Sequence, residues 1–143
     1  MKKIMFNDKY GLTDAVLKGN KTMTRRNTDL YKVGEVVAIA QSYWDVHHSE
    51  TPIFGDSDAG VFNKMFVKAE RMPHHIRILS KRQEHLQDIS VEDCLREGVQ
   101  MAGEPFNHLY ARDAFAALID KVSGKGTWES NPLVWVYEFE LID

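Results

Sequence analysis

From Leu133 to Leu141 every odd position is apolar or aromatic (Leu133, Trp135, Tyr137, Phe139, Leu141), while the even positions pass from Val134 and Val136 to Glu138 and Glu140. That period of two belongs to a strand, because successive side chains on an extended chain point to opposite faces. The run Gly34-Glu35-Val36-Val37-Ala38-Ile39-Ala40 leaves a glycine turn and continues β-branched and apolar, the pattern of a central strand buried on both faces. Lys3 to Phe6, Met65 to Ala69 and Ile76 to Leu86 read as further strands. Helices are expected between them. Asn7 or Asp8 can cap one that carries Leu12, Ala15 and Val16 and stops at Gly19. Ser90-Val91-Glu92-Asp93 opens a second, closed by Gly98, and Phe115, Leu118, Ile119 and Val122 give a third one apolar stripe. Five or six strands flanked by short helices predict an α+β fold, a small mixed β-barrel.

The 143 residues suit one domain, 1–143, and 43% hydrophobic with 27% charged residues is globular composition rather than that of a disordered tail or coiled coil. The longest apolar run, Ala114 to Ile119, is far short of the ~20 residues that span a bilayer, so no membrane partner is expected. Cys94 is alone, which excludes an internal disulfide and a cysteine zinc cluster and fits a cytoplasmic protein. Ser49 to Asn63 holds Pro52, Gly55, Gly60 and three acidic residues, and reads as an exposed inserted loop.

The net charge of −3 hides an asymmetry: residues 1–34 carry eight Lys/Arg against three Asp, and residues 35–143 carry ten against eighteen acidic residues. The densest part of the basic end is Gly19-Asn20-Lys21-Thr22-Met23-Thr24-Arg25-Arg26. Arginine offers a planar fork for phosphate or a base edge, while a desolvated lysine can act as a base. A basic surface turn is the other reading of the same residues. On a regular strand Lys21 and Thr24 would face opposite sides, so cooperation between them requires a turn or a strong twist near Asn20 to Met23.

Gly19-x-Lys21-x4-Arg26 resembles the G-x-K-x-x-x-x-R signature of the ASCH family, which is related to PUA-like RNA-binding domains. The resemblance continues through Tyr31 to Tyr43, through Leu86-Gln87-Asp88-Ile89-Ser90-x-Glu92-Asp93-Cys94-x-x-Glu97-Gly98-Val99 and through Trp128-x-x-Asn131-Pro132-x-Val134-Trp135-Val136-x-Glu138-Phe139. These blocks lie in family order over nearly the whole chain and are similar in particular to ASCH proteins of phages and prophages. The resemblance implies a cleft between barrel and helices that takes a nucleotide or an RNA end. Some compact members are amidohydrolases that deacetylate N4-acetylcytidine with a Lys, a Thr and a Glu; others are described as ribonucleases or RNA binders. Carried over by motif, the catalytic set is Lys21, Thr24 and Glu97, with no cofactor. The partners implied are RNA or a modified nucleoside or nucleotide. A non-catalytic RNA- or base-binding module and a ribonuclease are the alternatives. Two departures bear on the substrate: the 49–63 insertion, and Arg25, where the compact members tend to be apolar.

By pattern alone, Glu97 lies about 60° round a helical wheel from Cys94, at the border of an apolar face, which favours a solvated helix-end carboxylate over one that reaches into a cleft. Lys21, Arg25 and Arg26 are candidate phosphate or nucleotide contacts. Tyr43 and Trp44 follow the central strand and can stack on a base or pack in the core. His47-His48 and His74-His75 lack a further ligand at helical spacing, so no metal site is expected. Trp128 and Trp135 are expected to pack.

Overall fold

The computed structural model describes residues 1–47, 58–101 and 107–143. Along the chain come β1 (Lys3–Ile4), α1 (Leu12–Leu17), β2 (Met23–Arg26), β3 (Val36–Ile39), α2 (Tyr43–His47), β4 (His75–His85), α3 (Val91–Arg96), α4 (Ala111–Ser123), α5 (Thr127–Ser130) and β5 (Leu133–Leu141). The strands form one mixed sheet in the order β1-β3-β4-β5-β2, with β1 parallel to β3 and the other neighbours antiparallel. β3 is sandwiched as its all-apolar sequence requires. Val37 and Ile39 join the main core with Ile4, Phe6, Tyr137, Phe139 and Phe115, while Ala38 and Ala40 pack on the other face with Tyr43, Val67 and Met72. In β5, Val134 and Val136 are buried with Met23 on one face and Tyr137 and Phe139 on the other, and the strand turns one-sided where Glu138 and Glu140 begin.

The fold is α+β, but the sheet is not closed into the expected barrel. Its edge strands are β1 and β2, which do not pair among the described residues. With only two residues β1 offers almost no ladder to close on. A side chain crosses the seam instead: Arg26 Nη2 donates to Met5 O at 2.8 Å.

Two local expectations also change. Met65 to Ala69 is not a strand; 3-10 turns cover Lys64–Phe66 and Ala69–Arg71, because Asn63 Oδ1 accepts from Met65 N at 3.0 Å and starts a turn. Helix α1 begins later than Asn7 or Asp8: Asn7 Oδ1 accepts from Tyr10 N and Asp8 Oδ1 from Thr13 Oγ1, closing a loop before Gly11 enters left-handed at φ 73°. The 49–63 loop lies largely outside the described residues; its last part, Asp58–Gly60, is a 3-10 turn. No helix among the described residues is long and apolar enough to cross a membrane.

Ser90 caps α3 as expected, accepting from Asp93 N at 3.1 Å. The helix carries Cys94 into the core, fully buried, and burial pushes its thiol up to about 11. At pH 7 roughly one thiol in 10⁴ is then ionised. The folded protein is expected to resist a disulfide reagent for hours and to react within minutes in denaturant; rapid labelling under native conditions would contradict this packing.

Candidate functional site

The segment after α1 is shaped to deliver Lys21 to the interior. Gly19 turns the chain at φ 78°, and the amides of Asn20 and Lys21 both donate back to Ala15 O. Strand geometry starts only at Met23, so Lys21 lies before the alternation that would have separated it from Thr24. Thr22 N then donates to Arg96 O and Phe139 N to Thr22 O, clamping the segment between α3 and β5. Gly98 at the end of α3 makes room: its φ of 88° favours glycine, and a Cβ there would sit 3.2 Å from Lys21 Cβ.

Lys21 is 3% exposed. Its ammonium donates to Met23 O at 2.7 Å, Glu97 O at 2.9 Å and Glu97 Oε1 at 3.1 Å, which uses all three protons. Burial lowers its pKa below the usual 10.5, more strongly than Glu97 can restore it. Glu97 is itself shared. Its Oε2 accepts from Arg25 Nη1 at 2.7 Å, and Arg25 Nη2 reaches Glu84 Oε1 and, at 3.4 Å, Asp93 Oδ2. Burial opposes the Arg25 charge, but Glu97 and Glu84 outweigh it and hold the guanidinium above its ordinary range. Arg82 and Arg96 complete the shell of Asp93 at 2.9 and 2.7 Å.

Arg26 belongs to the opposite face of β2. Its Nε donates to Thr24 Oγ1 at 3.2 Å, and its guanidinium lies 5.7 Å from the Phe6 ring centre, with Lys21 Nζ 5.8 Å from the same ring. Among the described residues no carboxylate stands within ion-pair distance of Arg26; burial pulls its pKa down, opposed by Tyr31, Glu97 and Tyr137.

These side chains meet at one cavity of about 140 Å³. Lys21, Thr24, Arg25, Arg26 and Glu97 line it together with Met5, Phe6, Asn7 and Leu12, and α4 supplies Phe115, Leu118, Ile119 and Val122. Five of the seven residues singled out by sequence therefore come together. Tyr43 does not: it is fully buried in the second core, its hydroxyl accepting from Lys68 N, with no ring face left for a base. Trp44 is 38% exposed and packs on Phe62 at 5.8 Å, and neither residue borders the cavity. Arg25 lines the cavity, but its guanidinium end is held by three carboxylates rather than offered to phosphate. His74 and His75 bond to Asp143, His48 lies outside the described residues, and no metal-binding cluster occurs among those described. A larger hollow of about 440 Å³ over Lys2, Lys3, Leu30 and Tyr31 carries less chemistry, since its lysines are tied to backbone carbonyls.

Sequence reasoning missed Glu84 and Asp93, which hold Arg25, and the second use of the α4 stripe. The i, i+3, i+4, i+7 pattern was legible, but only the fold shows that Ile119 and Val122 border a cavity rather than complete a core.

No family model matches the chain, and no curated protein resembles it closely enough to match. Among solved structures, protein EF3133 of Enterococcus faecalis V583, from the family DUF984, is similar with a TM-score of 0.55 and 15% identity over 100% of this chain and 77% of its own. An ASCH domain from Lactobacillus crispatus JV V101 is similar with a TM-score of 0.51 and 12% identity over 95% of this chain and 75% of its own. The chain shares the fold of this ASCH domain and of the DUF984 protein.

Proposed function

We propose that this protein recognises a modified pyrimidine and hydrolyses the amide of an N4-acylated cytosine, with Lys21, Thr24 and Glu97 as catalytic set. The observation that carries the reading is the convergence of those three side chains on one small cavity, with a lysine whose charge burial disfavours. The ASCH-type fold supports nucleotide or RNA recognition, and the residue pattern supports the chemistry.

The steps are those of an acyl transfer to threonine. When Lys21 is neutral it releases its longest contact, to Glu97 Oε1, and its lone pair takes the Thr24 hydroxyl proton. Thr24 Oγ1 adds to the acyl carbon and the carbonyl pair moves onto oxygen. Collapse breaks the C–N4 bond, and the Lys21 proton goes to the departing cytosine amine. Water then hydrolyses the threonyl ester, giving a carboxylate and restoring the hydroxyl. Glu97, held on its other oxygen by Arg25, keeps Lys21 aimed.

Thr24→Ala is expected to lower release of cytidine from N4-acetylcytidine by about 10³-fold or more, while Thr24→Ser keeps a measurable rate. Equal rates in wild type and Thr24→Ala would remove threonine from the mechanism.

A recognition-only module is the second reading, and one observation favours it: all three Lys21 protons are engaged, and Thr24 is bonded by Arg26, not by Lys21. Such a module, holding RNA through several phosphates, would lose affinity steeply with salt, whereas a nucleoside hydrolase would hardly respond.

A further inference from the structure

Two arginines at the cavity are incompletely matched: Arg25 Nε is a buried donor without a hydrogen bond among the described residues, and Arg26 has no counter-ion there. Lys21 is balanced by Glu97, and Arg25 by Glu97, Glu84 and Asp93. Arg26 has no such partner among the described residues; it spends Nε on Thr24 Oγ1 and one Nη2 proton on Met5 O, and Nη1 makes no hydrogen bond there. Arg26 is half-buried and its Nη1 is not among the buried unpartnered atoms, so this guanidinium without a counter-ion keeps a strong donor on solvent, open to an incoming ligand. α4 lines the same cavity with the apolar side chains of Leu118, Ile119 and Val122 and, at its end, with Ser123. About 140 Å³ is the scale of one ring or a short chain: a dry cavity of about 150 Å³ accommodates benzene.

We propose that Arg26 and the α4 wall form a carboxylate-binding subsite, whose ligand is a small monocarboxylate with a short aliphatic or aromatic body. Ligand binding here does not depend on the deacylase reading; the catalytic corollary rests on it. Because Arg26 Nε is already fixed on Thr24 Oγ1, the rest of its fork lies beside the carbon that Thr24 would attack. Arg26 then stabilises the oxyanion, the acyl body lies along α4, and the nucleoside stays at the mouth near Asn7 and Ser123. The carboxylate released is the subsite's own ligand and inhibits as a product.

The test is titration of the protein with acetate, butyrate and benzoate at constant ionic strength in chloride, followed by amide NMR shifts, with butyramide as the uncharged control. Butyrate should bind about tenfold or more tighter than acetate, about fourfold per added methylene. Butyramide should bind at least tenfold more weakly than butyrate. Arg26→Met should lose carboxylate binding; since Arg26 also spans the sheet seam, Val122→Trp serves as a second variant, which fills the apolar side and should remove the gain from acetate to butyrate while leaving acetate bound. Affinities that ignore charge and chain length, or that survive in Arg26→Met, would overturn the subsite. Turnover of N4-acetylcytidine with no carboxylate binding would sink the subsite and leave deacylation standing; carboxylate binding without turnover would do the reverse.

Discussion

Replacing Arg25 with alanine is expected to destabilise the protein by about 3–5 kcal/mol, the usual consequence of removing one partner from a buried ion pair. The Arg25 side chain is 1% exposed and its two terminal nitrogens serve Glu97, Glu84 and Asp93. Without it, Glu97 keeps only Lys21, whose own charge burial disfavours, and Glu84 loses its short contact. In a domain of this size the loss corresponds to roughly 10–20 °C in Tm. Arg25→Lys is expected to recover little, since one ammonium cannot reproduce a fork that reaches three carboxylates. The decisive comparison adds Glu84→Gln to Arg25→Met, which leaves Glu97 paired with Lys21: deleting one charge of each sign should be less costly than deleting the cation alone. A loss below about 1 kcal/mol for Arg25→Ala would mean that the network is solvated and contributes nothing.

Glu97→Gln is expected to shift the pH dependence of turnover in a direction that separates a catalytic Lys21 from a structural one. Proton abstraction requires neutral Lys21, so turnover should rise with pH through a Lys21 pKa that burial holds below 10.5. Of the charges that act on Lys21, Glu97 raises that pKa while Arg25 and Arg26 lower it. Removing the Glu97 charge therefore moves the rising limb to lower pH, and Arg25→Met moves it to higher pH. The same lysine leaves a stability signature. Between its folded pKa and the unfolded 10.5 the unfolded chain holds a proton that the folded chain has lost, so stability rises with pH across that window. Lys21→Met, which is expected to lower turnover by about 10³-fold or more, should also remove that rise. A limb that stays fixed in Glu97→Gln, read from kcat between pH 6 and 10, would show that Lys21 is not the titrating base.

How far the sequence discloses the fold depends on whether a pattern is local. Ser90 and its helix were legible because cap and partner lie three residues apart, and β3 because an unbroken apolar run admits little else. Met65 to Ala69 has the composition of a strand but not its conformation, because Asn63 turns the chain and leaves Met65 and Phe66 exposed. That the sheet stays open was not legible; closure would require pairing between β1 and β2, which no short-range signal encodes or excludes. At the site, the cluster around Lys21 was visible as a basic segment, but the two roles of its arginines were not. Arg25 and Arg26 are neighbours that leave β2 on opposite faces: one is neutralised by Glu84, Asp93 and Glu97, while the other has no carboxylate within ion-pair distance among the described residues. That division follows from where α3 and β4 place their acids, over 55 residues away in the chain. Tyr43 illustrates the converse: an aromatic placed after a strand carries no mark telling a stacking platform from a core residue until Val67 and Met72 cover it.

The most direct test of the central claim is a single-turnover experiment with protein in excess over N4-acetylcytidine, quenched over time and analysed for cytidine, for wild type and Lys21→Met. Cytidine and acetate are expected to appear together in wild type, and Lys21→Met, still folded, is expected to leave the substrate intact. Substrate that binds wild type yet remains acetylated throughout would contradict it, and would make the cavity at the sheet seam a site of recognition alone.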